Sequence, residues 1–195
     1  MTDLFTEPDD ATPLTPDERA GLKQAWIATR ADLNIAEQDN IDAGAAWAFR
    51  NRRRDMLTVD FALRLHREMF GNVWEWAGTY RRTEKNIGIA PNRIGIETAQ
   101  LIDDVRYWSD HATFEPDETA VRLHHRLVWV HPFPNGNGRH ARMMADLLVQ
   151  RLGNQPFSWG GQNLQDIGTL RQTYVEALRR ADQHDIGPLL EFARS

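Results

Sequence analysis

The chain has no cysteine, and that one absence removes disulfides, thiolate catalysis and cysteine-based zinc sites together. It is compatible with a reducing compartment, and the expected localisation is cytoplasmic. No apolar run approaches the roughly 20 residues that cross a bilayer, so no membrane partner is expected. The N-terminus, Met1-Thr-Asp-Leu-Phe-Thr-Glu-Pro-Asp-Asp10, is too acidic for a signal peptide. Excess positive charge is also missing: the net charge of −5 argues against a general nucleic-acid binder. The short basic run Arg50-Asn-Arg-Arg-Arg54 lacks interleaved aromatics and reads as a solvated helix end, where cations suit the dipole. There is no G-x-x-x-x-G-K-[ST], which excludes a P-loop. Internal repeats and linkers are absent too. What remains is a 195-residue chain, 41% hydrophobic with seven Trp, that suits one globular domain.

The expected organisation is a loose tail over residues 1–11 and a single domain over 12–195. Thr15-Pro-Asp-Glu18 is a capping box with Pro at the first helical position. Thr29 with Asp32 opens a helix that reaches Arg50, with Leu33, Ala36, Ile41, Ala45 and Ala48 on its apolar side. Thr58 caps a helix carrying Phe61, Leu65 and Met69 and ending at Gly71; His66 within it reads as structural or surface. Residues 80–89 read as a strand, with Pro91-Asn92 as a hairpin turn. Helices follow over 97–111, after Pro116, and over 170–178. Asp185 is expected to cap a terminal helix with Pro188 at its third position. The fold class is all-α with one β-hairpin.

Chemistry concentrates in one stretch, His131-Pro-Phe-Pro-Asn-Gly-Asn-Gly-Arg-His-Ala-Arg142. A helical pattern leads out of it through Met143, Met144, Leu147 and Leu148. Gly136-Asn137-Gly138 therefore sit where a loop becomes a helix. The first turn of a helix carries N–H groups without partners and a partly positive dipole end, so it attracts anions. Glycines allow positive φ and close backbone approach. Arg139 and Arg142, three apart, project from one side, and guanidinium forks suit phosphate oxygens. His131 has the pKa range to take a proton near neutrality. Gly136-x-Gly138-x-x-Ala141 also mimics a dinucleotide fingerprint, but residues 119–130 scan as a helix where that needs a strand. His124 and His125, adjacent on a helix, diverge too far to chelate one metal and read as packing or surface residues. His140 reads as structural.

This stretch resembles the Fic family motif, H-P-F-x-[D/E]-G-N-G-R-x-x-R, with eight fixed positions in register. The likeness extends from about residue 12 to the end, and the surrounding chain looks like the subgroup called mobile mystery protein B. The resemblance implies a Fic-type helical bundle that transfers AMP from ATP to a Ser, Thr or Tyr hydroxyl of a target protein. In that reading His131 is the catalytic base. Gly136, Asn137, Gly138, Arg139 and Arg142 hold the phosphates, and Phe133 anchors the loop in the core. The residues Arg82, Thr83, Glu84, Lys85, Asn86 and Ile87 form the edge of a hairpin flap that docks the target by strand-like pairing. The departure is Asn135, where the family has a carboxylate for Mg2+ (or Mn2+); an amide oxygen coordinates without charge. The resemblance further implies an inhibitory helix, S/T-x-x-x-E-G/N, whose Glu pairs with the last motif arginine. Here Leu33-Asn-Ile-Ala-Glu37-Gln38 keeps only Glu37, giving an expected Glu37–Arg142 pair. A helix-turn-helix partner protein is implied by the subgroup, and no oligomeric state is. The alternatives left open are a weak or inactive nucleotide-binding regulator, and transfer of another phosphate-containing group.

Overall fold

A computed structural model describes residues 13–51, 54–161 and 167–195. The tail expected over 1–11, and Arg52 and Arg53 of the basic run, lie outside the described residues. Among the described residues eight α-helices follow in order: α1 (Pro16–Ala20), α2 (Arg30–Arg50), α3 (Val59–Phe70), α4 (Ile94–Asp110), α5 (Pro116–Val130), α6 (Asn137–Arg151), α7 (Ile167–Asp182) and α8 (Gly187–Arg194). Their starts follow the capping chemistry of the sequence. Thr15 and Glu18 form a reciprocal capping box on α1, and Thr29 and Asp32 form one on α2. The Thr58 hydroxyl accepts from the Phe61 N–H at the head of α3. None of the described helices is long and apolar enough to cross a membrane.

Two expected features are not there. No strand occurs among the described residues, and the one β-bridge joins Leu22 to Trp74. Residues 79–90 form an irregular loop instead of the hairpin. The physical reason lies at Pro91, which does not turn a hairpin but opens a 3-10 turn (Pro91–Arg93) running straight into α4. The residues needed for a return strand are the first turn of that helix. At the C-terminus, Asp185 does not cap α8: its carboxylate accepts from Arg180, Ile186 holds the cap position without a side-chain bond, and Pro188 falls in the first two helical positions.

A continuous core joins the helices. Leu33 and Ala48 of α2 meet Phe61, Leu65 and Met69 of α3; Leu101 and Val105 of α4, Leu123 and Leu127 of α5 and Met144 and Leu148 of α6 complete the centre. The antiparallel pair α5–α6 forms its spine, with α4 and α8 on α5 and with α2 and α3 on α6. The loop between α5 and α6 is the stretch 131–136. Burial of a side chain of this size stabilises by about 1.5–3 kcal/mol, so the pair is fixed by packing well before its loop is considered. A smaller cluster, Ile89, Ile94 and Val130 with Tyr80 against it, ties the end of the 79–90 loop to the end of α5.

Candidate functional site

Two residues in the left-handed conformation frame the motif. His131 ends α5 at φ 52°, ψ 60°, the position that most helices give to glycine. Gly136 begins α6 at φ 79°, ψ 2°. A non-glycine residue held there carries roughly 1–3 kcal/mol of strain, which the surroundings must impose. The Val128 backbone carbonyl near the His131 ring favours its protonated form, but weakly against the burial that opposes it. A neutral imidazole carries its proton on one nitrogen and a lone pair on the other. Burial, and after it the Arg81 guanidinium, pushes the imidazole down to about 4. The ring is therefore neutral at pH 7 and in the form a base needs, although less basic than the free side chain assumed from the sequence.

Between these ends the loop is held from within. The Asn137 side chain accepts from the Phe133 N–H at 2.9 Å and donates to the Phe133 carbonyl at 2.8 Å. Both ends of that buried amide are engaged within the loop, which leaves the Asn137 backbone to meet a phosphate. Phe133 is buried and stacks on His66 with 3.6 Å between ring centroids. His66 is structural: Gly78 N–H donates to its Nδ1 at 2.9 Å, so Nε2 carries the proton and donates to the Asn135 carbonyl at 3.0 Å. His140 is also buried, bonded to the Ala62 carbonyl. His124 is buried against the Tyr174 hydroxyl, and His125 meets Asp182.

No side chain caps the first turn of α6, so its amides face outward, as an anion site needs. Gly136 is there for two reasons: its positive φ, and the Phe70 ring, 2.6 Å from where a Cβ would sit. Gly136→Ala is expected to add about 1–2 kcal/mol of left-handed strain and about 1–3 kcal/mol of overpacking. A lowered urea midpoint would register it; an unchanged midpoint would contradict the contact.

The two motif arginines part company. Arg139 lies over the Phe70 ring and donates to the Glu37 Oε2 at 2.7 Å. Arg142 lies over the Tyr174 ring of α7 and makes no ion pair among the described residues. The Glu37 partner is thus Arg139, not Arg142 as expected. Glu37 is only 2% exposed, and its second oxygen accepts from the Trp74 indole at 2.8 Å.

Asn135 turns its side-chain oxygen onto the Gly136 N–H at 2.5 Å. That oxygen is neutral and already engaged, and no cluster of three metal-ligating acids or histidines exists among the described residues. The donor set does not fit a resident metal ion.

Over His131 lies the 79–90 loop. Gly88, at φ 94°, packs so closely that a Cβ would come within 2.5 Å of the His131 Cβ. Of the stretch expected to dock a target, Thr83 and Lys85 are committed elsewhere: both donate to the Glu18 carboxylate, and Lys85 also reaches the Pro13 carbonyl. Arg82, Glu84, Asn86 and Ile87 remain exposed. The loop's anchor, Arg81, escaped the sequence reading, as did Tyr174. A separate groove of about 600 Å3, lined by Trp108, Arg126, Trp129 and His184, includes no motif residue.

Comparison with known proteins agrees with this geometry. Residues 56–149 match the Fic/DOC family. The protein adenylyltransferase fic-1 of Caenorhabditis elegans is 31% identical over 149 residues, covering 73% of this chain and 27% of that protein. The solved structure of a C. elegans Fic-1 fragment superposes with a TM-score of 0.64 at 26% identity, covering 90% of this chain and 56% of that one. The BepC protein of Bartonella tribocorum shares the fold, with a TM-score of 0.69 at 17% identity and coverage of 92% and 97%. The chain spans only about a quarter to a third of the length of the curated relatives it matches. On the motif, its helical frame and these likenesses together, residues 56–149 are a domain of the Fic/DOC family.

Proposed function

We propose that the protein is an adenylyltransferase that moves AMP from ATP to a hydroxyl side chain of a target protein. The observation that carries this reading is the uncapped, glycine-bent start of α6, with two guanidinium groups on its first two turns and a neutral histidine at the other end of the same loop. The curated relatives' name, protein adenylyltransferase, supports it. The amides of the first α6 turn would receive the phosphates, with Arg139 and Arg142 on the outer oxygens. A target hydroxyl gives its proton to the lone pair of His131 while its oxygen bonds to the α-phosphorus. The bond from that phosphorus to the bridging oxygen breaks, and pyrophosphate leaves. Asn135 offers a divalent cation no charge. Asn135→Asp should lower the Mg2+ concentration needed for half-maximal labelling; an unchanged requirement would remove position 135 from metal binding. Arg82, Glu84, Asn86 and Ile87 are the exposed part of the docking stretch, and the exposed loop would meet the target without a hairpin. The setting is cytoplasmic. Assignment to the mobile mystery protein B subgroup, with its helix-turn-helix partner, rests on sequence resemblance alone.

Glu37 restrains the reaction by holding Arg139 away from the outer phosphates. Removing the Glu37 charge leaves the half-exposed Arg139 guanidinium without its counter-ion. Glu37→Gln keeps an acceptor for Trp74 but places an amide against the guanidinium, and it should raise labelling from α-labelled ATP several-fold. Equal labelling in the variant and the parent would end the inhibitory role. A chain that binds nucleotide but labels nothing, even as Glu37→Gln, would instead be a regulator.

A further inference from the structure

Arg81 belongs to no motif, yet the residue is 2% exposed and each guanidinium nitrogen donates to a backbone carbonyl. Nε donates to the His131 carbonyl at 2.7 Å. One terminal nitrogen donates to Thr83 at 2.8 Å, and the other to Ile89 at 2.5 Å and to Val130 at 3.5 Å. Its own N–H donates to the Pro132 carbonyl at 2.9 Å. Of the four acceptors of the side chain, Val130 and His131 end α5, where carbonyls lack helical partners and a cation suits the dipole. The other two belong to the loop above His131, so a single side chain fastens the helix end to its cover.

The acceptor of Nε is the residue in the left-handed turn. His131 cannot relax toward an ordinary helical or extended conformation without swinging its carbonyl off Nε. Gly88, in the same loop, packs against the His131 Cβ and the Arg81 guanidinium together.

We propose that Arg81 is the positioning residue for His131, clamping the end of α5 to the 79–90 loop so that the imidazole is held in its left-handed turn at the reacting edge. The charged groups acting on this pair are few. Arg81 and Lys85 both hold the His131 imidazole below its ordinary value, and Glu84 from the loop and Glu18 from α1 support the charge of Arg81 against burial.

The kinetic arm of the test rests on the AMP-transfer reading; the spectroscopic arm does not. In Arg81→Gln, the ring titration of His131 followed by NMR should move up from about 4 toward its ordinary value, because the guanidinium charge is gone. The base becomes stronger, yet kcat should fall by about 10²-fold with KM for ATP little changed, because the base is misplaced. A kcat that holds steady, or rises with the basicity of His131, overturns the clamp. Arg81→Lys keeps the charge, but one ammonium cannot span the Thr83, Ile89 and His131 carbonyls. There the titration should stay low while kcat still falls, and full activity in this variant overturns the proposal even if Arg81→Gln does not fold. Should the parent protein label nothing, the transferase reading fails by itself. The clamp then stands or falls on whether His131 titrates differently in Arg81→Gln; an unmoved titration overturns it.

Discussion

His131→Ala is expected to abolish protein labelling from α-labelled ATP while leaving nucleotide binding nearly intact. General-base assistance is worth about 10²–10⁴ in rate, and the ring is the group placed to give it. The phosphates would be held by the α6 amides and by Arg139 and Arg142, which belong to α6 at the far end of the loop from His131. The prediction therefore separates two quantities that a folding defect would move together: titration calorimetry should give a similar affinity, and label should disappear. The lowered pKa adds a second signature. Since the ring is held at about 4 by burial and by Arg81, the parent protein should show no loss of labelling between pH 8 and pH 6 from protonation of the base. The negative charge of a bound triphosphate works the other way, favouring the imidazolium that forms as the hydroxyl proton arrives. Persistent labelling in His131→Ala would remove the base assignment. Lost binding would place the histidine in nucleotide recognition instead.

The motif and its helical setting were legible because their signals are local. The stripe Met144, Leu147, Leu148 marks α6, the threonines mark the starts of α1 to α3, and Pro116 marks that of α5. What failed depends on distant contacts. Arg139 and Arg142 share one face of α6, and nothing near them in the chain says which one Glu37 meets. The choice is made by Phe70 of α3, over which Arg139 lies, and by Tyr174 of α7, which takes Arg142. Arg81 was hidden because Arg81 and Arg82 are equivalent letters in an irregular loop with no periodicity to separate a buried residue from an exposed one. The hairpin failed for a related reason: Pro91-Asn92 is a valid turn signal, but Pro is equally at home in the first turn of a helix. The run into α4 decided it.

The second large effect is on stability. Burial holds His66 and His124 well below the ordinary value of 6.5, and His131 and His140 at about 4. In the unfolded chain these rings bind protons near 6.5, so below that pH the unfolded state binds more protons than the native one, and stability falls with pH. The contribution is whole above about 6.5 and lost progressively toward 4. For His131 and His140 a shift from 6.5 to about 4 is worth about 3 kcal/mol each, against a total of about 5–15 kcal/mol for a domain. One group opposes this. Burial pushes Asp146 up to about 6 against the Phe157 N–H and the Trp159 indole that donate to it, so its protonation in the same window favours the fold. It offsets about as much as His131 or His140 alone contributes. Glu18, Asp55 and Asp117, held below the ordinary carboxylate range, add their own loss only at lower pH. The urea midpoint should therefore drop steeply between pH 7 and pH 5, and a flat profile would mean that these rings are not buried as described. The damage should reach the site early, because a proton on Nδ1 of His66 opposes the Gly78 N–H and loosens the ring that carries the Asn135 carbonyl. His140→Gln keeps a donor for the Ala62 carbonyl and removes one titrating ring. It should flatten the slope by up to about 1.4 kcal/mol per pH unit; an unchanged slope would take His140 out of the account.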